Sequence, residues 1–387
     1  GYNNDKSKNG GYDLKILVVF TGGTIGSSIS DGYAVPDSDK KYKLIDMYEK
    51  STQENKAYQT KEKIEFDMES PYQELSENNT GKQIFTLASY LNEKTGKDCG
   101  YDGIIITHGT DTLQYTTAAL GYMFGDADIP IVIVSSNYVL DDKRANGLTN
   151  FAYAVKFIEG KYGTGVYVSY CNTGGEPVIH RGTRLMEHAT YFDDVYSIKK
   201  SEYGFFDDGI FIKKLKKTAK HDFFESTKMC SEIRERFLKK EKEENTFSDI
   251  ILVKPFPGMR YNVLPDGTKA VIHTTYHSGT MCSKSPDLKS FADDAKKRNI
   301  PIYIYGAGES VDYDSVKVFE KFGFEVLQVA ALPAMLMKLW IASVVFDSRN
   351  EISEFMMRDV SGDINLNVEK RRRFVRNKSN LSIVCIW

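Results

Sequence analysis

No stretch of the 387-residue chain approaches the run of about 18 apolar residues that a bilayer-spanning helix needs. An excess of one charge is missing too. Lys and Arg number 51 against 53 Asp and Glu, a formal net charge of −2. That balance argues against nucleic acid or an anionic membrane surface as partner. Cysteine is scarce. Cys99, Cys171, Cys230, Cys282 and Cys385 are scattered without CxxC spacing. This argues against a disulfide framework or a cysteine zinc site and fits a reducing, cytoplasmic setting. The chain begins at Gly1 and not at Met, which leaves open a signal peptide removed upstream. No His/Cys/Asp/Glu set has metal-ligand spacing, so no metal is expected. No Gly-Lys-Ser/Thr follows a glycine turn, and no Gly-x-Ser-x-Gly elbow occurs.

What is present is an ordinary globular composition, 41% hydrophobic and 27% charged, long enough for two domains. The most informative stretch runs from Gly100 to Thr112. Ile104-Ile-Ile-Thr107 reads as a buried strand, and Leu113 to Phe124 reads as a helix. The turn between them, His108-Gly-Thr-Asp-Thr112, packs hydroxyls and a carboxylate into consecutive positions. At the carboxyl end of a strand in an open α/β sheet, such a turn meets ligands. The competing reading is that Thr110 or Asp111 simply caps the helix.

A second junction has the same form. Lys15 to Phe20 is a buried-strand candidate ending in Thr21-Gly-Gly-Thr-Ile-Gly26, followed by a Ser/Gly/Asp-rich segment, Ser27 to Pro36, expected as a mobile loop. Thr24 and Thr110 thus both lie beside glycine at strand ends. A threonine hydroxyl is a weak nucleophile until a base takes its proton. Neutral glycine turns with adjacent backbone N–H groups suit an oxyanion. Lys40 to Met68 reads as charged surface with a helix at its start, and Thr80 suits the N-cap of a helix Gly81 to Lys94. Strands Ile129–Val134 and Gly165–Tyr170 flank a helix Gly147–Ile158. This alternation predicts an α/β fold with a mostly parallel sheet covered on both faces.

Ser201 to Phe247 breaks the pattern. Its charge run, Arg234 to Glu244, predicts a connection with one solvated helix. From Asp249 a new alternation begins, with strands at Ile250–Val253, Ala270–His273 and Pro301–Tyr305. Helices are expected at Asp287–Arg298, Ser315–Phe322 and Pro333–Phe346. The divisions expected are 14–205 for a larger N-terminal domain, 206–248 for a connection and 249–387 for a smaller C-terminal α/β domain. The leader Gly1–Asp13 reads as loose, and the tail, basic over Val368–Arg376 and apolar over Leu381–Trp387, as able to pack on the body or on a partner chain.

Taken together, Thr21–Gly26 and His108–Thr112 resemble the bacterial-type L-asparaginase/glutaminase family, in its type I-like cytosolic branch. Further segments carry the resemblance. Asp31-Gly-Tyr33 is similar to the family's lid, Ser76-Glu77 to its substrate-carboxylate turn, and Gly147 with Asn150 to another of its motifs. Arg181-Gly-Thr-Arg184, Pro255-Phe-Pro-Gly258, Tyr276-His-Ser-Gly-Thr280 and Tyr305-Gly-Ala-Gly308 extend it, so that it covers about Lys15 to Ala342.

The resemblance implies a two-domain asparaginase fold, a homodimer or homotetramer, and cofactor-free hydrolysis of a side-chain amide such as that of asparagine. Thr24 would be the nucleophile that forms an acyl-enzyme, and Tyr33 would close the lid on it. Thr110 would lie across the scissile amide. Gly23, Gly109 and Ser76 would hold the substrate, with its α-carboxylate at Ser76. Asp111 and Glu77 would hold its ammonium. Two departures stand out. Glu187 occupies the place of the family's lysine, and no lysine occurs between Lys161 and Lys199. Asn146 replaces an aspartate. A carboxylate facing Asp111 predicts a shared proton or a neutralising cation from Lys143, Arg181, Arg184 or His188. Glu187 therefore opens an alternative: a weak or inactive amino-acid-binding protein on the same fold. A changed substrate, an amide carrying a positive group, is a third reading. His108 is expected to be structural, and His277 is a candidate for lining a site across an interface.

Overall fold

The computed structural model describes residues 13–30, 33–36, 40–214, 226–240, 248–307 and 313–364, with the backbone alone at 27–30, 33–36 and 40–42. Most of the leader, the dipeptide Asp31-Gly32, Gly308 and the tail segments lie outside these residues, as do 241–247 of the connection.

The first sheet opens with β1 (Leu14–Phe20). A short hairpin, β2 (Ser27–Ser30) and β3 (Tyr33–Pro36), follows the glycine turn. It replaces the expected loop, and its connecting sequence, Asp31-Gly32, is a strong two-residue hairpin signal. Then come α1 (Lys40–Glu54), β4 (Ile64–Glu69), α2 (Gly81–Lys94), β5 (Gly103–Thr107) and α3 (Leu113–Phe124). The Thr80 side chain and Gln83 form a capping box at the start of α2. β6 (Pro130–Val134), α4 (Gly147–Glu159) and β7 (Gly165–Cys171) complete the parallel part. Three antiparallel strands extend it: β8 (Pro177–Arg181), β9 (Gly204–Asp207) and β10 (Ile210–Lys213). The sheet thus continues past residue 205.

Strand order is β10-β9-β8-β7-β6-β5-β1-β4. From β1 the chain crosses outward to β4, then returns to place β5 on the other side of β1. That reversal is the topological switch point of a doubly wound sheet, where a crevice opens beyond the carboxyl ends of the strands. Register puts Phe20 opposite Thr107, so the two glycine turns leave the sheet side by side.

Strand alternation divides the core. Ile16, Val18, Ile105 and Val132 face α1 and α4, while Leu17, Val19, Ile104 and Ile131 face α2 and α3. The second sheet is parallel, in the order β11 (Ile250–Val253), β12 (Ala270–Thr274), β13 (Ile302–Tyr305) and β14 (Glu325–Val326). α6 (Leu288–Lys297) and α7 (Lys317–Phe322) cover one face through Phe291, Ala295 and Phe319. α8 (Leu332–Val345) is buried on nearly every side, as its all-round apolar sequence demands. It packs against α3, so one core cluster runs through both sheets.

The expected solvated helix is corrected. α5 (Cys230–Leu238) buries Cys230, Ile233 and Phe237. The Phe237 ring lies 5.7 Å from Phe85 and 5.5 Å from Trp340. Arg234, one turn from Cys230, packs over Phe124 and bonds Asp126 at 3.0 Å, while Glu232 and Glu235 stay exposed.

α9 (Arg349–Met357) leads into a polar segment with a buried network. Lys338 of α8, fully buried, meets Asp363 at 2.8 Å, and Tyr122 donates to the same carboxylate at 2.9 Å. Asp359 beside them has its carboxyl pushed up to about 7, first by burial and then by the charge of Asp363. Its folded value lies above the unfolded 3.8. The folded state therefore holds a proton that the unfolded state has lost, and stability drains as pH rises through that window. Between about pH 4 and 7 the slope should reach at most about 1.4 kcal/mol per pH unit, and it should level off above. Asp359→Asn should flatten it, as read from urea midpoints across pH. Parallel curves for variant and wild type would contradict this.

Candidate active site at the sheet's switch point

The first turn is held by its neighbour in space. The Gly23 N–H donates to the Glu74 carbonyl at 3.3 Å, and Glu74 N–H donates to Thr21 O at 3.0 Å. This draws the segment before Ser76 alongside the turn. Gly23 has φ +77°, and a Cβ there would fall inside the backbone of Gly109. A Cβ on Gly109 would strike the Ser76 side chain. Gly23, Gly109 and Ser76 therefore form one close-packed floor, and only glycine fits its two backbone positions.

Thr24 follows in a single 3-10 turn, Thr24–Gly26, and is half-buried. Tyr33 lies in β3, with only its backbone described. Ser76 is 3% exposed, and Glu77 next to it is exposed. Thr112 Oγ1 donates to Ser76 O at 2.9 Å and ties the second turn to the third. The capping alternative fails here. The residue at the N-cap of α3 is Thr112, whose side chain makes no cap bond. Thr110 and Asp111 are left half-buried and exposed respectively, at the crevice.

His108 is buried, with Nε2 3.2 Å from Asn79 Nδ2 and Nδ1 2.7 Å from Gly109 O. The amide of Asn79 donates, so Nε2 accepts and Nδ1 carries the proton. Burial lowers its proton affinity. It braces the floor as a neutral ring.

The segment following β8 crosses the first turn of α3. Glu187 is exposed, and Tyr115 donates to its Oε1 at 3.4 Å. Burial, then the Glu187 charge, pushes the Tyr115 hydroxyl up to about 12. Tyr115 lies in the first turn of α3, whereas Asp111 precedes the N-cap Thr112. The Tyr115–Glu187 contact joins positions 72 residues apart, so the sequence carries no signal for it. Among the candidate cations, His188 lies against this turn. It is half-buried, lies beside the Thr110 backbone and feels the charge of Asp111. Burial lowers its pKa, against the pull of Asp111 and Asp193. Arg184 instead spends its Nε on Gly362 O at 2.6 Å, Arg181 stacks over Tyr203 at 4.8 Å, and Lys143 is exposed.

Asn146 has a structural reason. Its Oδ1 accepts from Asn137 N at 3.0 Å, and its Nδ2 donates to Cys171 O at 2.9 Å. A carboxylate cannot make the second bond. Asn146→Asp should cost about 1–3 kcal/mol by leaving the carbonyl facing an acceptor. Thermal unfolding reads this, and an unchanged midpoint would contradict it. In the second sheet, His277 is exposed in the turn after β12, while Tyr305 at the end of β13 feels the Glu187 charge. Among the described residues, no group of three His/Cys/Asp/Glu could hold a metal ion. Among them, too, no helix is long and apolar enough to cross a membrane.

A doubly wound α/β sheet with two threonine–glycine turns at its switch point defines a ligand-binding α/β protein. A family model described as "Asparaginase, N-terminal" matches residues 15–216, and the chain belongs to the asparaginase family. It is 27% identical over 308 residues to a glutamyl-tRNA(Gln) amidotransferase subunit of Methanococcus maripaludis, spanning 75% of this chain and 68% of that protein. It is 36% identical over 85 residues to the L-asparaginase of Thermococcus kodakarensis, 22% of this chain and 24% of that one. Among solved structures, L-asparaginase I from Vibrio cholerae superposes with a TM-score of 0.70 at 20% identity, covering 91% of this chain and 99% of that one. The thermostable L-asparaginase from Thermococcus kodakarensis gives 0.68 at 21%, covering 92% and 100%. These two likenesses show a shared fold.

Proposed function

We propose that the protein hydrolyses the side-chain amide of asparagine, or of a closely related small amide, with Thr24 as nucleophile. The observation that carries this reading is the floor of Gly23, Gly109 and Ser76, which seats Thr24 and Thr110 at the ends of adjacent strands. The Thr24 hydroxyl adds to the amide carbon, and its proton passes to the leaving nitrogen. The C–N bond breaks and ammonia departs, leaving an ester on Thr24. Water then cleaves the ester, returns a proton to Thr24 and releases the acid. Tyr33 closes over the nucleophile. Ser76 takes the α-carboxylate, and Asp111 with Glu77 takes the ammonium. Gly109 supplies an N–H group to the oxyanion, and Gly23 lines the substrate pocket. Self-association as a dimer or tetramer belongs to this reading. A protein partner is the alternative, supported by relatives named as amidotransferase subunits.

Ammonia release from asparagine and glutamine by the chain alone tests it. Turnover with asparagine supports it, and none with either amide sinks it.

The second reading rests on Glu187, whose carboxylate reaches Tyr115 where a cation would complement Asp111. In it the site binds an amino acid and turns over little. Glu187→Lys then separates the two. A rise in turnover of about tenfold or more, the scale of one restored charge-assisted contact, marks the wild type as catalytically weak. Calorimetric binding of aspartate without ammonia release supports the second reading directly.

A further inference from the structure

Residues 359–363 form a strap against the root of the segment that carries Glu187 and His188. The root is the 3-10 turn Gly182–Arg184. On one side it rests on α3, where Thr117 Oγ1 donates to Gly182 O at 3.2 Å and Thr183 Cγ2 packs over Gly121. On the other side it meets the strap. Thr183 Oγ1 donates to Ser361 O at 2.9 Å, and Arg184 Nε donates to Gly362 O at 2.6 Å.

Those two carbonyls are presented by an unusual backbone. Ser361 has φ 55° and Gly362 has φ 67°, two left-handed residues in succession. A non-glycine residue holds that conformation only where its surroundings over-determine it. Here they do. Ser361 N donates to Ser226 O at 2.8 Å, and Val360 N donates to Asp363 Oδ1 at 2.9 Å. Lys338 Nζ donates to Arg358 O at 2.5 Å and pairs with Asp363. Beyond the root, Leu185 is buried, Met186 N donates to Tyr196 O at 2.9 Å, and Glu187 and His188 reach Tyr115 and Thr110. The buried ion pair holds the strap, the strap holds the root, and the root aims the arm.

We propose that the strap positions the active-site arm, making Thr183 and Arg184 positioning residues for ligand binding at Thr110–Asp111. This rests on the amide-site reading above only for the identity of the ligand.

The test uses the full chain carrying Thr183→Val, Thr183→Ser or Arg184→Gln. Hydrogen exchange at the amides of 185–188 is read beside aspartate titration calorimetry. Thr183→Val and Arg184→Gln should each raise arm exchange and the aspartate Kd by about tenfold, the scale of one lost hydrogen bond. Thr183→Ser, which keeps the hydroxyl, should stay near wild type. If Thr183→Val does not fold, Arg184→Gln decides alone. Wild-type arm exchange in the folded variants overturns the inference, whatever their melting temperatures. If the wild type binds no aspartate, the amide-site reading falls, and the exchange comparison still decides the role of the strap.

Discussion

Thr24→Ala should lower asparagine turnover by about four orders of magnitude or more, the scale seen when an acyl-forming nucleophile is deleted. The fold should survive the change. Thr24 is half-buried in a one-turn element, and alanine removes only a hydroxyl and a methyl. The close packing beneath it is made by Gly23, Gly109 and Ser76, none of which is altered. The melting temperature should therefore barely move while ammonia release disappears, and aspartate should still bind through Ser76 and Asp111. Steady-state assays with calorimetry on one preparation check all three. Full turnover by the variant would remove Thr24 from the chemistry.

Lys338→Met should cost about 3–5 kcal/mol, the penalty for breaking a buried pair from one side. The ion pair is fully buried at both ends and 2.8 Å long. Methionine approximates the stem but leaves the Asp363 carboxylate without its cation, facing Tyr122 and Val360 as neutral donors. The ammonium also lies 5.3 Å from the Phe355 ring and 5.7 Å from that of Tyr122, so cation–π contacts vanish with it. Denaturant unfolding measures the loss. A change below about 1 kcal/mol would mean that desolvation nearly cancels the attraction in this pair.

Much of the fold is legible because burial on both faces writes a continuous apolar run. β1, β5 and β6 are such runs, and each is readable to within a residue or two. β4 is not. Its sequence, Ile-Glu-Phe-Asp-Met-Glu, places carboxylates on alternate positions of an edge strand. Their partners come from elsewhere in the chain: Lys15 lies 2.9 Å from Asp67, and Lys94 lies 2.8 Å from Glu69. Without those partners the segment reads as charged surface. α5 misleads for a similar reason. Its dense charge outweighs three apolar positions, yet its Phe237 meets Phe85 and Trp340 in the core. The antiparallel strands β8 to β10 are short, and their sequences carry weak alternation.

The candidate site divides along the same line. By itself the sequence determined that two strands end in threonine–glycine turns and that no lysine occurs between Lys161 and Lys199, the stretch that holds Glu187. Those are statements about residue type, which local chemistry and spacing carry. Only the tertiary structure decided that the turns share one floor, because strand order and register are set by packing between distant segments. It decided that Asn146 braces a loop. It also turned His188, and none of the other candidate cations, toward Thr110 and Asp111, because the root of its arm is clamped between α3 and a strap 178 residues away in the chain.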